Sequence, residues 1–176
     1  MYKSYGVRLN RTSPAHPCVI LWEDDASRKV LSGGEFDAIR AEQSIATFQA
    51  AQREARTWWL EVREANTDRG CEFYCTEKDM HRSGLAQFQD LLQGQGVRHV
   101  VGGVNHPQTN GKPERLWYEH AKHRWRFITL HEFIDWNNDQ IHDSLWVEMF
   151  ETPREAFQRK LPTEILLGLH LRQVEA

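Results

Sequence analysis

The 176-residue chain is 40% apolar and 27% charged with a formal net charge of −3, enough for one domain with a real core and far from the strongly basic balance common in nucleic-acid binders. No run of roughly 18 or more apolar residues occurs, and Met1-Tyr2-Lys3-Ser4-Tyr5 lacks a basic stretch followed by an apolar core, so neither a helical membrane span nor a secretory leader is expected. The composition leads to the expectation of a soluble, cytoplasmic protein.

In chain order, Tyr5 to Thr12 reads as a first strand that turns at Ser13-Pro14-Ala15-His16-Pro17, where the prolines and serine are turn formers. Cys18-Val19-Ile20-Leu21-Trp22, an apolar run ending in acids, reads as the second strand, and Arg28 to Phe36, interrupted by Gly33-Gly34, as the third. Pairing of the first two around Ala15-His16 sets Asn10 opposite Leu21. Ile45, Phe48 and Ala55 recur at helical spacing with Gln43, Gln49, Gln52, Arg53 and Glu54 on other faces, which predicts a helix over 41–56. Leu60 to Thr67 must be a strand if Asp68 is to sit at a sheet end, although Arg63-Glu64-Ala65-Asn66 has poor strand propensity.

Farther along, Leu85, Phe88, Leu91 and Leu92 form the stripe of a helix over 85–93 that Gly94 stops, and Val97-Arg98-His99-Val100-Val101 is a further strand. Gly102 to Lys112 reads as a loop, and Pro113 as the first position of a helix reaching Phe127, with Leu116, His120, His123 and Phe127 inward. Thr129 with Glu132 and Thr152 with Glu155 are capping boxes, the second with Pro153 at the first helical position, and the tail is helical. Three strands, helix, strand, helix, strand and then helices make a mixed α/β layered domain: a core over 1–128 and a C-terminal helical extension over 129–176.

Cys18, Cys71 and Cys75 are an odd number without disulfide-scaffold density, as where thiols stay reduced. Cys71 and Cys75 followed by His81 amount to half a zinc site, short of a full tetrahedral set. Charge is unevenly spread. From Arg98 to Leu130 six basic residues (Arg98, Lys112, Arg115, Lys122, Arg124, Arg126) face only Glu114 and Glu119, on a chain acidic elsewhere. A local basic face beside carboxylates suits a binder that tracks phosphates on one surface.

Two carboxylates stand out. Asp68 lies in Thr67-Asp68-Arg69-Gly70-Cys71-Glu72-Phe73, and Glu114 follows Asn105-His106-Pro107-Gln108-Thr109-Asn110-Gly111-Lys112-Pro113. Phosphodiester displacement uses two divalent cations about 4 Å apart, one activating the attacking hydroxyl and one stabilising the leaving oxygen, and hard carboxylate oxygens hold them. A strand end and the first turn of a helix are rigid supports for such ligands. Gln108, Asn110, Lys112 and Arg115 are donors that suit phosphate contacts, and Lys122 and Arg126 continue them on one predicted helical stripe.

These segments resemble the integrase catalytic core of DDE transposases and retroviral-type integrases, most closely the prokaryotic insertion-sequence branch. Thr67-Asp68-Arg69-Gly70 with Glu72-Phe73 is similar to that family's second-aspartate motif, and His106 to Arg115 to its glutamate motif. The likeness extends through Asp24-Asp25-Ala26-Ser27-Arg28, through Trp136-Asn137 with His142 and Leu145, and through Glu151-Thr152-Pro153, Ala156-Phe157 and Arg159-Lys160. The resemblance implies a ribonuclease H-like fold with a mixed five-stranded sheet flanked by helices, and a metal-dependent polynucleotidyl transferase acting in DNA integration or transposition. It implies Asp68 and Glu114 as catalytic metal ligands for Mg²⁺ or Mn²⁺, and transposon ends and target DNA as partners. Contacts to DNA from Asn105, Gln108, Asn110, Lys112, Arg115, Lys122 and Arg126 are expected, as is action as a homo-oligomer.

The family's first aspartate, on the opening strand, has no counterpart. Ungapped alignment at Ala26-Ser27 puts Asn10 in that slot and Thr12 where a threonine belongs; alternatively the aspartate preceded Met1 in a longer reading frame. With Asn10 opposite Leu21, Asp24 and Asp25 lie about 10 to 13 Å farther along and are expected to hold Arg28 or the following turn instead. The family's N-terminal helical DNA-binding region also has no counterpart, so DNA binding is expected to be of low affinity and salt-sensitive. The competing expectation is a catalytically inactive transposase remnant or DNA-binding module of the same fold.

Overall fold

The structure, a computed structural model, describes residues 3–10, 18–70, 72–74, 87–102 and 107–168, with backbone alone for 3–10 and 107–113. Strands β1 (Lys3–Asn10), β2 (Cys18–Asp24) and β3 (Val30–Phe36) pair antiparallel, while β4 (Glu64–Thr67) runs parallel to β1 on its other side and β5 (Arg98–Val101) parallel to β4. The hydrogen-bonded order is β3-β2-β1-β4-β5. Parallel neighbours need long crossovers. Helices α1 (Ala41–Thr57) and α2 (Gln87–Gly94) lie in them. Then come α3 (Pro107–His123), a 3-10 turn (Arg124–Arg126), α4 (Leu130–Asn138), α5 (Pro153–Arg159) and α6 (Thr163–Leu166). Among the described residues no helix is long and apolar enough to cross a membrane.

Side chains alternate across β2. Ile20 and Trp22 enter a core with Phe48, Ala51 and Ala55 of α1, Phe88 and Leu92 of α2, and Phe157 of α5. Val19 and Leu21 enter a second core with Leu116 of α3 and Leu130, Phe133 and Ile134 of α4. The sheet is therefore covered on both faces. Gly33 does not interrupt β3: a Cβ there would stand 2.8 Å from the Ile20 carbonyl oxygen, so the glycine permits a close approach of the two strands.

Several boundaries differ from the sequence reading. β4 is only Glu64–Thr67, and all four residues are buried. Their weak strand propensity is overridden by pairing on both sides, and Arg98 of β5 forms an ion pair with the buried Glu64 carboxylate. α3 opens at Pro107, not Pro113, and yields to the 3-10 turn after His123, leaving Phe127 extended. Pro107 has the same fixed φ and missing N–H that suit a first helical position, and Pro113 then forgoes one backbone bond inside the helix. Gly94 stays helical; Gly96 takes the left-handed conformation (φ 66°) that turns the chain into Val97. Both capping boxes form, at Thr129/Glu132 and Thr152/Glu155.

The pairing of β1 with β2 also differs. Asn10 stands opposite Cys18, and Val7 is the residue opposite Leu21. Residues 11–17, which join the two strands, lie outside the described residues. The three-residue shift moves Asn10 about 10 Å along the strand and, being odd, moves its position to the face of Ile20 and Trp22.

Candidate functional site

Asp68 follows the last residue of β4. Its Oδ1 accepts a hydrogen bond from the Gly70 N–H at 2.9 Å, a local turn that fixes the carboxylate at the sheet end. A Cβ at position 70 would come within 2.7 Å of the buried Glu72 carboxyl group, so a side chain there would displace that carboxyl. On the β5 side, Thr67 Oγ1 lies 2.8 Å from His99 Nε2, and burial pushes the His99 pKa down, keeping the ring neutral. On the same side, Arg69 Nε donates to the carbonyl of Gly102, the residue after β5, at 3.0 Å. Thr67 pairs with Gly6 of β1, so one residue later Asp68 is level with Val7. In the ladder Val7 pairs with Leu21, whose side chain lies on the face covered by α3.

Glu114 is exposed on α3, on the side of the helix away from Leu116 and His120, which are buried. Arg115 does not stand free for a phosphate: its guanidinium pairs with Glu119 at 3.0 Å and Asp143 at 3.1 Å, joining α3 to the segment after α4. Beside it a cavity of about 370 Å³ opens between α3 and α4, lined by Trp136, Asn137 and His142 among others. Burial, with the charges of Arg115 and Arg28, pushes the His142 pKa down.

The expected stripe of Lys122 and Arg126 is not one stripe. Arg126 lies in the 3-10 turn, where its guanidinium sits 5.3 Å from the Trp136 ring centroid, toward α4. Lys122 instead faces solvent beside Tyr118, with its Nζ 5.4 Å from that ring centroid. Asn105 lies outside the described residues, as do Cys71, Cys75 and His81; Gln108, Asn110 and Lys112 are described only as α3 backbone. Cys18 is a buried free thiol. Among the described residues no group of three His, Cys, Asp or Glu side chains gathers as a metal site.

The sequence reading gave Asp24 and Asp25 a local task, and they have it. Asp24 Oδ2 accepts from the Ser27 N–H at 2.9 Å and the Ser27 hydroxyl at 2.7 Å, and Asp25 pairs with Arg28 at 3.3 Å. It overlooked Glu23, which alternation places on the side of Leu21; burial pushes its pKa up to about 8, against the pull of Arg28 at 3.6 Å. It also overlooked Tyr118 and Trp125, exposed by 56% and 80%. The signal for Tyr118 was present as spacing, since positions 114, 118 and 122 share one side of α3, whereas Trp125 lies in the 3-10 turn that follows.

No family model matches the chain, and no curated protein matches it. Solved structures do. The HTLV-2 integrase catalytic core domain in complex with magnesium matches with a TM-score of 0.52 at 17% identity, over 88% of this chain and 94% of that one. The BIV integrase catalytic core domain gives 0.60 at 13%, over 88% and 93%. A chain of the simian T-cell lymphotropic virus intasome in complex with PP2A regulatory subunit B56 gamma gives 0.61 at 15%, over 91% of this chain and 55% of its own length. This chain has the fold of a retroviral integrase catalytic core.

Proposed function

We propose that this chain is the ribonuclease H-like core of a DDE-type DNA integrase or transposase, of the insertion-sequence kind, whose metal centre is short of one carboxylate. The observation that carries the reading is the alignment of Asp68 with Val7. In the integrase-core fold, the strand position beside the second aspartate is where a first aspartate would complete the metal site, and here it is valine. On this reading the slot is position 7 of β1, and Asn10 and a residue before Met1 are the alternatives it competes with.

The donor set does not fit the full two-cation centre. Asp68 and Glu114 offer the hard oxygens that Mg²⁺ or Mn²⁺ prefers, but valine offers none. What remains is a DNA-engaging core, with Lys122 on the open side of α3 and Gln108, Asn110 and Lys112 at its start in the segment that resembles the glutamate motif. Homo-oligomeric action belongs to the same reading.

Strand transfer with Mn²⁺ tests it, on the chain as it stands and on Val7→Asp and Asn10→Asp. Val7→Asp is expected to raise the rate at least about a hundredfold, equivalent to roughly 3 kcal/mol of transition-state charge stabilisation, and Asn10→Asp to leave it at background. Adding Asp68→Asn to Val7→Asp abolishes the gain. Robust activity of the unaltered chain, or rescue through position 10, refutes the incomplete site at position 7.

A further inference from the structure

We propose that the cavity between α3 and α4 binds a purine base, adenine in particular, with the Asn137 side-chain amide bonded to its N6–H and N7 edge. Binding there is independent of the DNA-acting reading above, and either can fail alone. Arg115, Glu119 and His123, spaced one turn apart on α3, make one wall. The end of α4 and the segment after it make the other, with Trp136, Asn137, Gln140 and His142. At about 370 Å³ the space lies near the lower end of small-ligand pockets, roughly 300–1,000 Å³, and has room for a nucleoside.

Asn137 is the residue that needs a ligand. It is only 8% exposed, yet no described residue hydrogen-bonds its side-chain amide, which is left to the cavity it lines. A desolvated amide without partners is unfavourable, and a flat ligand presenting a donor and an acceptor side by side satisfies both of its ends. Adenine does so with N6–H and N7, the pairing that asparagine makes with it in DNA grooves. Guanine has two acceptors on that edge and leaves the Asn137 carbonyl unmet. His142 adds a second polar group: its Nδ1 accepts from the Ser144 N–H at 3.2 Å, so the ring, kept neutral by burial, carries its proton on Nε2. Gln140 Nε2 donates to the Trp136 carbonyl at 3.0 Å, which leaves Oε1 as an acceptor at the rim.

Charge selects a neutral occupant. Glu119 is held by Arg115 at 3.0 Å and lies 3.5 Å from His123, Arg115 is also paired with Asp143, and Asp139 is held by Arg154 at 2.6 Å. Arg115, Glu119 and Asp139, the charged side chains of the lining, thus each have an opposite charge beside them, which favours a neutral ring over a phosphate or an ammonium ion. The Trp136 ring, its centroid 4.7 Å from that of His123, and Ile141 give the heterocycle an apolar wall.

Isothermal titration calorimetry of the whole chain tests the pocket, with adenosine, guanosine, 7-deazaadenosine and N6,N6-dimethyladenosine as ligands. Adenosine is expected to bind with a Kd on the order of 0.1 mM. The other three each lack one of the two bonding atoms and should bind about tenfold more weakly. Asn137→Leu, similar in shape but without the amide, should bind adenosine and 7-deazaadenosine alike. Unchanged thermal unfolding will show that this variant folds, and the analogue series decides the question without it. A hairpin DNA with one extrahelical adenine separates two sources of the base: displacement of adenosine by it, and not by a fully paired hairpin, assigns the base to a strand, whereas no displacement assigns it to the free nucleoside. Absence of adenosine binding in the millimolar range, or equal affinity for adenosine and 7-deazaadenosine in the parent, overturns the proposal. So does an Asn137→Leu variant that folds and keeps the parent's preference, since the base would then lie elsewhere.

Discussion

On one side of β2, Ile20 and Trp22 enter a layer of rings, with Trp22 at 4.9 Å from Phe48 and 5.8 Å from both Phe73 and Phe88. On the other side, Val19 and Leu21 share their layer with ionisable groups: buried Glu23, buried His120 at 3.8 Å from Glu35, and Arg124 held by Glu35 at 2.7 Å. The first layer gains stability from dense apolar contact, the second must satisfy charge in a poor solvent for it. The candidate functional residue Glu114 stands on the helix that covers the second layer. The face that tolerates charge is the one next to the proposed chemistry, and the aromatic face carries the fold.

Breaking the aromatic layer should give the largest effect. Trp22 is fully buried, and its indole N–H donates to Thr47 Oγ1 at 3.0 Å. Trp22→Ala leaves a large void among three phenylalanine rings and orphans that hydroxyl contact, so a loss of about 4 kcal/mol is expected in urea unfolding. A loss under about 1 kcal/mol would mean that the layer collapses freely and does not dominate the fold.

The polar layer is best probed through pH. Glu23 has its pKa raised from 4.5 to about 8 by burial, opposed by Arg28 and reinforced by Asp24 and Asp25. Between those pH values the folded chain keeps a proton that the unfolded chain has lost, so stability from this site falls as pH rises from about 4.5 to 8. Glu23→Gln has no such proton. It should match the parent near pH 4.5 and exceed it by on the order of 3 kcal/mol at pH 8, with a flatter profile between. His120 acts in the opposite direction: burial lowers its pKa from 6.5 to about 4, so its contribution is lost as pH falls through that window. Parallel pH profiles for parent and Glu23→Gln above pH 5 would contradict the buried-acid account.

Much of this was legible in the sequence because it is local. The apolar run Cys18 to Trp22, the stripe of α1 and the capping boxes at Thr129 and Thr152 each depend on residues a few positions apart, and each appears at or near its expected place. β4 was legible only through Asp68, since Glu64-Ala65-Asn66 becomes a strand by burial between β1 and β5. Strand register was not legible. Whether Asn10 or Val7 stands opposite Leu21 depends on how many residues the connection consumes, and Pro14 and Pro17 fit either answer. The same applies to α3, where two prolines compete for one helix start. Pairings such as Glu35 with Arg124, far apart in the chain, leave no periodic trace at all.

The subtlest contrast between the layers lies where the polar one meets the sheet edge. Asn138, the last residue of α4, accepts from the Val30 N–H at 2.8 Å and donates to the Val30 carbonyl at 2.9 Å, imitating a neighbouring strand at the start of edge strand β3. Asn138→Ala orphans both backbone groups, each costing about 1–3 kcal/mol if kept dry. A cavity of about 380 Å³ lined by Val30 and Asn138 admits water to them, which places the expected loss at the low end, about 2 kcal/mol in total. The local signature is sharper than the global one. The Val30 amide should exchange with solvent faster in Asn138→Ala, whereas amides of β2 should change only by the fall in global stability. Uniform acceleration across the sheet would show that this contact holds the whole domain, and so that the polar layer contributes to the fold as strongly as the aromatic one.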